Sequence, residues 1–134
     1  MSNHEVSFTV KEIIKDHIKH LGYLVEVEEE EKLEALMVGT SSGVGFVYEF
    51  MQIWQEWLED KGFSLSESQN MTIETFLGAS KLAFDSSQDF SSLQSQVATK
   101  KGVTAEALES MRSMDLDRVL RVAFESALLK SSKL

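Results

Sequence analysis

Cysteine and proline are both absent from this sequence. A disulfide framework and a thiolate metal site are therefore impossible, and helices run without the break that a pyrrolidine ring imposes. Cations are scarce: 13 Lys and Arg stand against 22 Asp and Glu, for a formal net charge of -9. Such a surface opposes a phosphate backbone, which argues against a nucleic-acid partner. No apolar run is long enough to span a bilayer, and no basic start leads into a signal-peptide stretch, so a cytoplasmic protein with no membrane partner is expected. Also missing is a G-x-G-x-x-G following a β-prone segment, so no cofactor is expected in this chain alone.

What is present is an ordinary globular composition, 43% hydrophobic over 134 residues, enough for one domain with a core. The run Gly39, Thr40, Ser41, Ser42, Gly43, Val44, Gly45 leads directly into a long apolar helical pattern. Glycines and hydroxyls at a helix entrance let backbones approach closely, or open N–H groups to a ligand. A second polar loop, from Gln96 to Thr104, ends at another helix start. Two such loops in a helical chain point to a site at a helical interface.

Along the chain, Thr9 and Glu12 form a capping-box pattern ahead of Val10, Ile13, Ile14, Ile18 and Leu21, which share one helical face, and Gly22 offers a stop. Tyr23 to Val27 is β-prone and reads as one short strand with no partner downstream. After the acidic run Glu28 to Glu31, a solvated helix start favoured by the helix dipole, everything reads as helix. Phe46, Phe50, Ile53, Trp54, Trp57 and Leu58 recur at three-and-four spacing until Gly62. Ser64 and Glu67 make a second capping box for a helix to about Phe84. A short helix around Ser91 to Val97, one with Ala105, Leu108 and Met111, and a last one from Leu116 to Ala127 complete six or seven helices.

Two constellations invite a functional reading that the sequence does not sustain. His17 and His20 sit three apart on one helix, but no third ligand is spaced to join them, so no metal is expected. The aromatic stripe of Phe50, Trp54 and Trp57 reads as core or subunit interface rather than a base-stacking platform, given the acidic surface.

From about Thr40 to Leu134 the sequence resembles the C-terminal dimerisation domain of pyrroline-5-carboxylate reductase. The family's Ser-Gly-Ser-Gly-Pro-Ala entrance corresponds to Thr40, Ser41, Ser42, Gly43, Val44, Gly45. Its helix Gln-Thr-Val-Leu-Gly-Ala-Ala-Lys corresponds to Glu74, Thr75, Phe76, Leu77, Gly78, Ala79, Ser80, Lys81. Its loop Val-Thr-Ser-Pro-Gly-Gly-Thr-Thr corresponds to Val97, Ala98, Thr99, Lys100, Lys101, Gly102, Val103, Thr104. The helix ending in Leu21, Gly22 and the segment Tyr23 to Val27 match the last helix and strand of the family's Rossmann domain.

The resemblance implies an all-α interlocked bundle of the 6-phosphogluconate dehydrogenase C-terminal-like type, with one N-terminal strand left from an absent Rossmann domain. Residues 1–28 would be the remnant of the nucleotide-binding domain, and 29–134 the helical dimerisation and substrate domain. It further implies a homodimer that contributes its interface and substrate loop to NAD(P)H-dependent reduction of 1-pyrroline-5-carboxylate to L-proline, in proline biosynthesis. The substrate-binding residues would be Thr99, Lys100, Lys101, Gly102, Val103 and Thr104, with the Thr104 hydroxyl bonding the ring nitrogen as the catalytic contact. Nucleotide binding would belong to the complete enzyme.

The loop departs from the family where Pro-Gly-Gly becomes Lys100, Lys101, Gly102. Either Lys101 takes a strained positive φ or the loop has another shape. Thr104 reads alternatively as a helix N-cap. The alternative at the level of the whole chain is a stand-alone, non-catalytic helical module for protein association or small-carboxylate binding.

Overall fold

The structure is a computed structural model in which residues 7–132 are described. The start of the expected nucleotide-domain remnant, 1–6, and the last two residues lie outside them. Among the described residues the fold is all-α, with seven α-helices in the order α1 (Phe8–Ile18), α2 (Glu30–Met37), α3 (Gly43–Asp60), α4 (Leu65–Phe84), α5 (Phe90–Val97), α6 (Val103–Ser113) and α7 (Leu116–Ser131). Contacts divide the chain into two compact units. One gathers the residues up to Ser42 with those from Phe124 onward; the other runs from Gly43 to Ala123.

In the first unit, α1 is capped by Ser7, whose hydroxyl accepts from the Val10 N–H at 3.5 Å. The capping residue expected at Thr9 lies inside the helix instead, because Ser7 offers its oxygen one step earlier in the chain. A 3-10 turn over Lys19–Leu21 ends at Gly22, whose φ of 150° lies in the region that favours glycine. The His17 ring Nδ1 lies 2.7 Å from the Ile13 carbonyl.

The strand expected over Tyr23 to Val27 is not formed, and no strand occurs among the described residues. Its β-prone side chains are present, but a strand is stabilised by ladder pairing and none is available to it here. The segment is held beside α1 by Lys15, whose ammonium reaches Glu26 at 2.8 Å and Glu12 at 3.1 Å. This ion pair raises the Lys15 pKa, first through Glu26, and lowers that of Glu26. Tyr23 is 96% exposed.

Helix α2 passes into a π-helical turn over Val38–Ser42, in which the Thr40 hydroxyl donates to the Leu36 carbonyl at 2.7 Å. The small-residue run expected to be a loop is therefore helical, with Gly43 opening α3 directly. Serine, threonine and glycine tolerate the wider turn because they crowd neither the preceding turn nor the groove. Val38 on this turn is buried.

In the second unit, α3 and α4 form an antiparallel hairpin. Gly62, at φ 97°, closes α3 where the sequence pattern stops. Ser64 then makes the capping box with Glu67: the Ser64 N–H donates to the Glu67 carboxylate at 2.9 Å, and the Glu67 N–H to the Ser64 hydroxyl at 3.4 Å. The Ser64 hydroxyl also donates to the Glu67 carboxylate at 2.6 Å, and this bond first and the one from the Ser64 N–H second hold the Glu67 carboxyl below its usual range.

The face of α4 toward α3 carries Ser68 and Thr72, 0% and 2% exposed, and Phe76, whose ring meets Trp54 edge-on at 5.7 Å between centroids. Small side chains at 68 and 72 let the helices approach, and the aromatic pair closes the contact one turn on. Neither the Ser68 nor the Thr72 hydroxyl has a hydrogen-bond partner. Asp89 caps α5, accepting from the Ser92 N–H at 2.8 Å. A bond from Arg112 Nη2 to Gln94 Oε1, 2.7 Å, ties α6 to α5.

Candidate functional site: the loop entering α6

Helix α5 ends at Val97 with Ala98 as its C-cap, and the chain turns through Thr99, Lys100 and Lys101 before Gly102 caps α6. The turn is closed by the Gly102 N–H donating to the Thr99 carbonyl at 2.8 Å. To make it, Lys101 takes φ 61°, the left-handed conformation, so the strained alternative of the two open for this residue is the one adopted. The strain of a left-handed non-glycine residue is thereby borne by the backbone at Lys101.

Gly102 is extended, at φ -82° and ψ 163°, and offers no side-chain cap. Thr104 is therefore not the N-cap. It is the second residue of α6, and the helix starts earlier because the turn bond from Gly102 to Thr99 already orients the chain. With glycine as cap, the first-turn N–H groups of α6 have no side-chain acceptor at the cap position, and the positive end of the helix dipole is presented there. This is the arrangement that suits a carboxylate or another small anion.

An open groove of about 590 Å3 beside this turn is lined by Lys101, Gly102, Val103, Glu106, Ala107 and Ser110. Thus three of the six expected substrate residues share one concavity, while Thr99, Lys100 and Thr104 lie outside its lining. Thr99, Lys100, Lys101, Val103 and Thr104 are all exposed. Glu106 in the first turn is the acidic counterweight to the two lysines. The sequence pattern drew no attention to Glu106 or Ser110, which reach the groove only because helical spacing carries them to the side of α6 that Lys101 faces. Among the described residues no cluster of three or more His, Asp or Glu side chains is placed to hold a metal, and no helix is long and apolar enough to cross a membrane.

Comparison with known proteins identifies the family of the chain. Residues 30–134 match the family model for pyrroline-5-carboxylate reductase dimerisation. The chain is 23% identical over 133 residues to the pyrroline-5-carboxylate reductase of Pseudomonas aeruginosa, covering 99% of this chain and 49% of that protein. It is 21% identical over 125 residues to that of Pasteurella multocida, covering 92% and 46%. Among solved structures, the reductase of Coxiella burnetii superposes with a TM-score of 0.91 at 23% identity, over 98% of this chain and 48% of that one. The NADP-bound reductase of Plasmodium falciparum superposes with a TM-score of 0.84 at 24% identity, over 98% and 50%. The chain spans about half the length of the relatives it matches. With the whole stretch from α2 to its last residue inside the family model, and its helices laid out as in solved reductases, the chain belongs to the pyrroline-5-carboxylate reductase dimerisation family.

Proposed function

We propose that this chain supplies the homodimer interface and the substrate-carboxylate loop of a pyrroline-5-carboxylate reductase acting in proline biosynthesis in the cytoplasm. The observation that carries the site is the start of α6, which has no side-chain cap and follows a tight turn with Lys101 in the left-handed conformation. In this reading the first-turn N–H groups and the Thr99 hydroxyl hold the substrate carboxylate, and Lys100 and Lys101 add positive charge. The Thr104 hydroxyl bonds the ring nitrogen, as donor to the imine or acceptor from the amine. Residues 1–28 are the end of a nucleotide-binding domain, and 29–134 the helical domain.

NAD(P)H binding then lies with the other half of the enzyme. That half supplies the hydride, while this chain orients the ring and neutralises its carboxylate. Exposed apolar side chains on several helices of one chain, among them Trp57, Leu77 and Leu82, are what a second copy would cover.

Two measurements test the reading. Light scattering at low micromolar concentration is expected to report a dimer; a folded monomer would contradict it. Fusion to the nucleotide-binding half of the Pseudomonas aeruginosa reductase is expected to restore NADPH-dependent reduction of pyrroline-5-carboxylate. A dimeric, nucleotide-binding fusion without activity would remove the substrate role and leave the dimer.

A further inference from the structure

Gly78 stands in the interior of α4, exposed, with no atom outside its own stretch of helix within 4 Å of where a Cβ would lie. Glycine at such a place weakens a helix relative to alanine. Nothing within this chain uses the missing side chain, since the side of α4 that meets α3 is the one carrying Ser68, Thr72 and Phe76. On either side of Gly78, Leu77 and Leu82 are 58% and 56% exposed. A strip of α4 is thus bare at its centre and apolar at its margins.

The charges along this strip are arranged in a self-complementary way. Helical spacing puts Glu74 one turn before Gly78 and Lys81 one turn after it, on the same side of the helix. Lys81 pairs with Asp85 of its own helix at 3.0 Å, yet its side chain stays 73% exposed. When two such helices cross antiparallel about a two-fold axis at Gly78, Glu74 of each copy comes beside Lys81 of the other. The opposite charges meet twice, as a two-fold contact requires. For a chain of net charge -9, a contact that pairs opposite charges is the one that lets two copies approach.

We infer that α4 packs against α4 of a second copy about a two-fold axis passing close to Gly78, whose missing side chain lets the two backbones meet. This rests on the homodimer reading and specifies which helices face each other across the axis. The chain contains no cysteine, so a single introduced thiol reports the geometry cleanly. Within one copy Gly78→Cys meets no atom, so the protomer is expected to fold; at the crossing the small side chain moves the two backbones apart and weakens the dimer without separating the thiols beyond reach. At a two-fold crossing the two introduced thiols fall within disulfide reach, so mild oxidation is expected to convert the dimer to a covalent one. Ser80→Cys, on the opposite side of α4, is expected to cross-link at least about tenfold more slowly, since a disulfide needs Cα atoms within roughly 7 Å. A dimer by light scattering in which Gly78→Cys cross-links no faster than Ser80→Cys would overturn the α4 crossing and leave the homodimer standing. A folded monomer of the unsubstituted chain would overturn both.

Discussion

A Cβ placed on Gly102 would stand 2.5 Å from the Thr99 Oγ1 and 3.0 Å from the Thr99 carbonyl oxygen. The hydroxyl has a rotamer to escape into, but the carbonyl is the acceptor that closes the turn at 2.8 Å and has none. Gly102→Ala is therefore expected to open the turn and to destabilise the chain by about 1 to 3 kcal/mol, the usual range for overpacking against backbone. Urea unfolding of the variant and its parent checks this; an unchanged midpoint would mean that the turn relaxes freely.

Lys101 carries the opposite kind of strain. A non-glycine residue in the left-handed region costs roughly 1 to 2 kcal/mol, and glycine returns about 0.5 to 1 of that through its looser unfolded chain. Lys101→Gly should then raise stability by about 0.5 to 1 kcal/mol. Should the reductase reading hold, the same change would weaken substrate binding by removing one positive charge, so the two effects are separable by unfolding and by KM.

Thr104→Val keeps the branched shape of the side chain and leaves the cap, which is Gly102, untouched. In an active fusion it is expected to lower turnover by roughly tenfold to a hundredfold, the loss of one hydrogen bond to a polarised group in the transition state. Thermal stability should not change. Full activity in the variant would show that the Thr104 hydroxyl takes no part.

Thr72 is 2% exposed and its hydroxyl has no partner. Thr72→Val removes that unsatisfied group at nearly constant volume, and a gain of about 1 kcal/mol is expected, near the low end of the cost of an unmade buried hydrogen bond. Differential scanning calorimetry would detect it as a higher Tm. A loss would instead show that the hydroxyl is satisfied in solution.

The carboxylates at the caps set the direction of the pH response. Glu67 is held low by Ser64, and Asp89 by the Ser92 N–H and then by Ser91. Groups whose folded pKa is depressed stabilise the fold above their ordinary pKa, and that contribution disappears as pH falls through the folded value. Acid titration is expected to lower the Tm from just above the ordinary carboxylate range downward, less steeply in Glu67→Gln with Asp89→Asn. At the alkaline end, Lys15 is raised by Glu26, so its contribution is complete below the ordinary lysine pKa and is lost as pH rises through the folded value. Glu26→Gln should flatten that limb.

Much of this protein is written in short-range pattern. The Ser64 and Glu67 box, the three-and-four aromatic spacing of α3 and the stop at Gly62 depend on residues within one or two turns, where sequence distance is spatial distance. The three motifs that resemble the reductase family were legible for the same reason. Other features were decided by what lies further away. Tyr23 to Val27 has every intrinsic mark of a strand, yet strand formation is a property of a pair, and no ladder is there to receive it. The small residues from Gly39 to Gly43 read as a loop, but Val38 is buried and the Thr40 hydroxyl finds the Leu36 carbonyl, which continues the helix through a π turn. The left-handed Lys101 and the cap at Gly102 are set by the Thr99 carbonyl, so the cap of α6 fell two residues before Thr104. Local propensity proposes such conformations, and the hydrogen bonds closed in three dimensions choose among them.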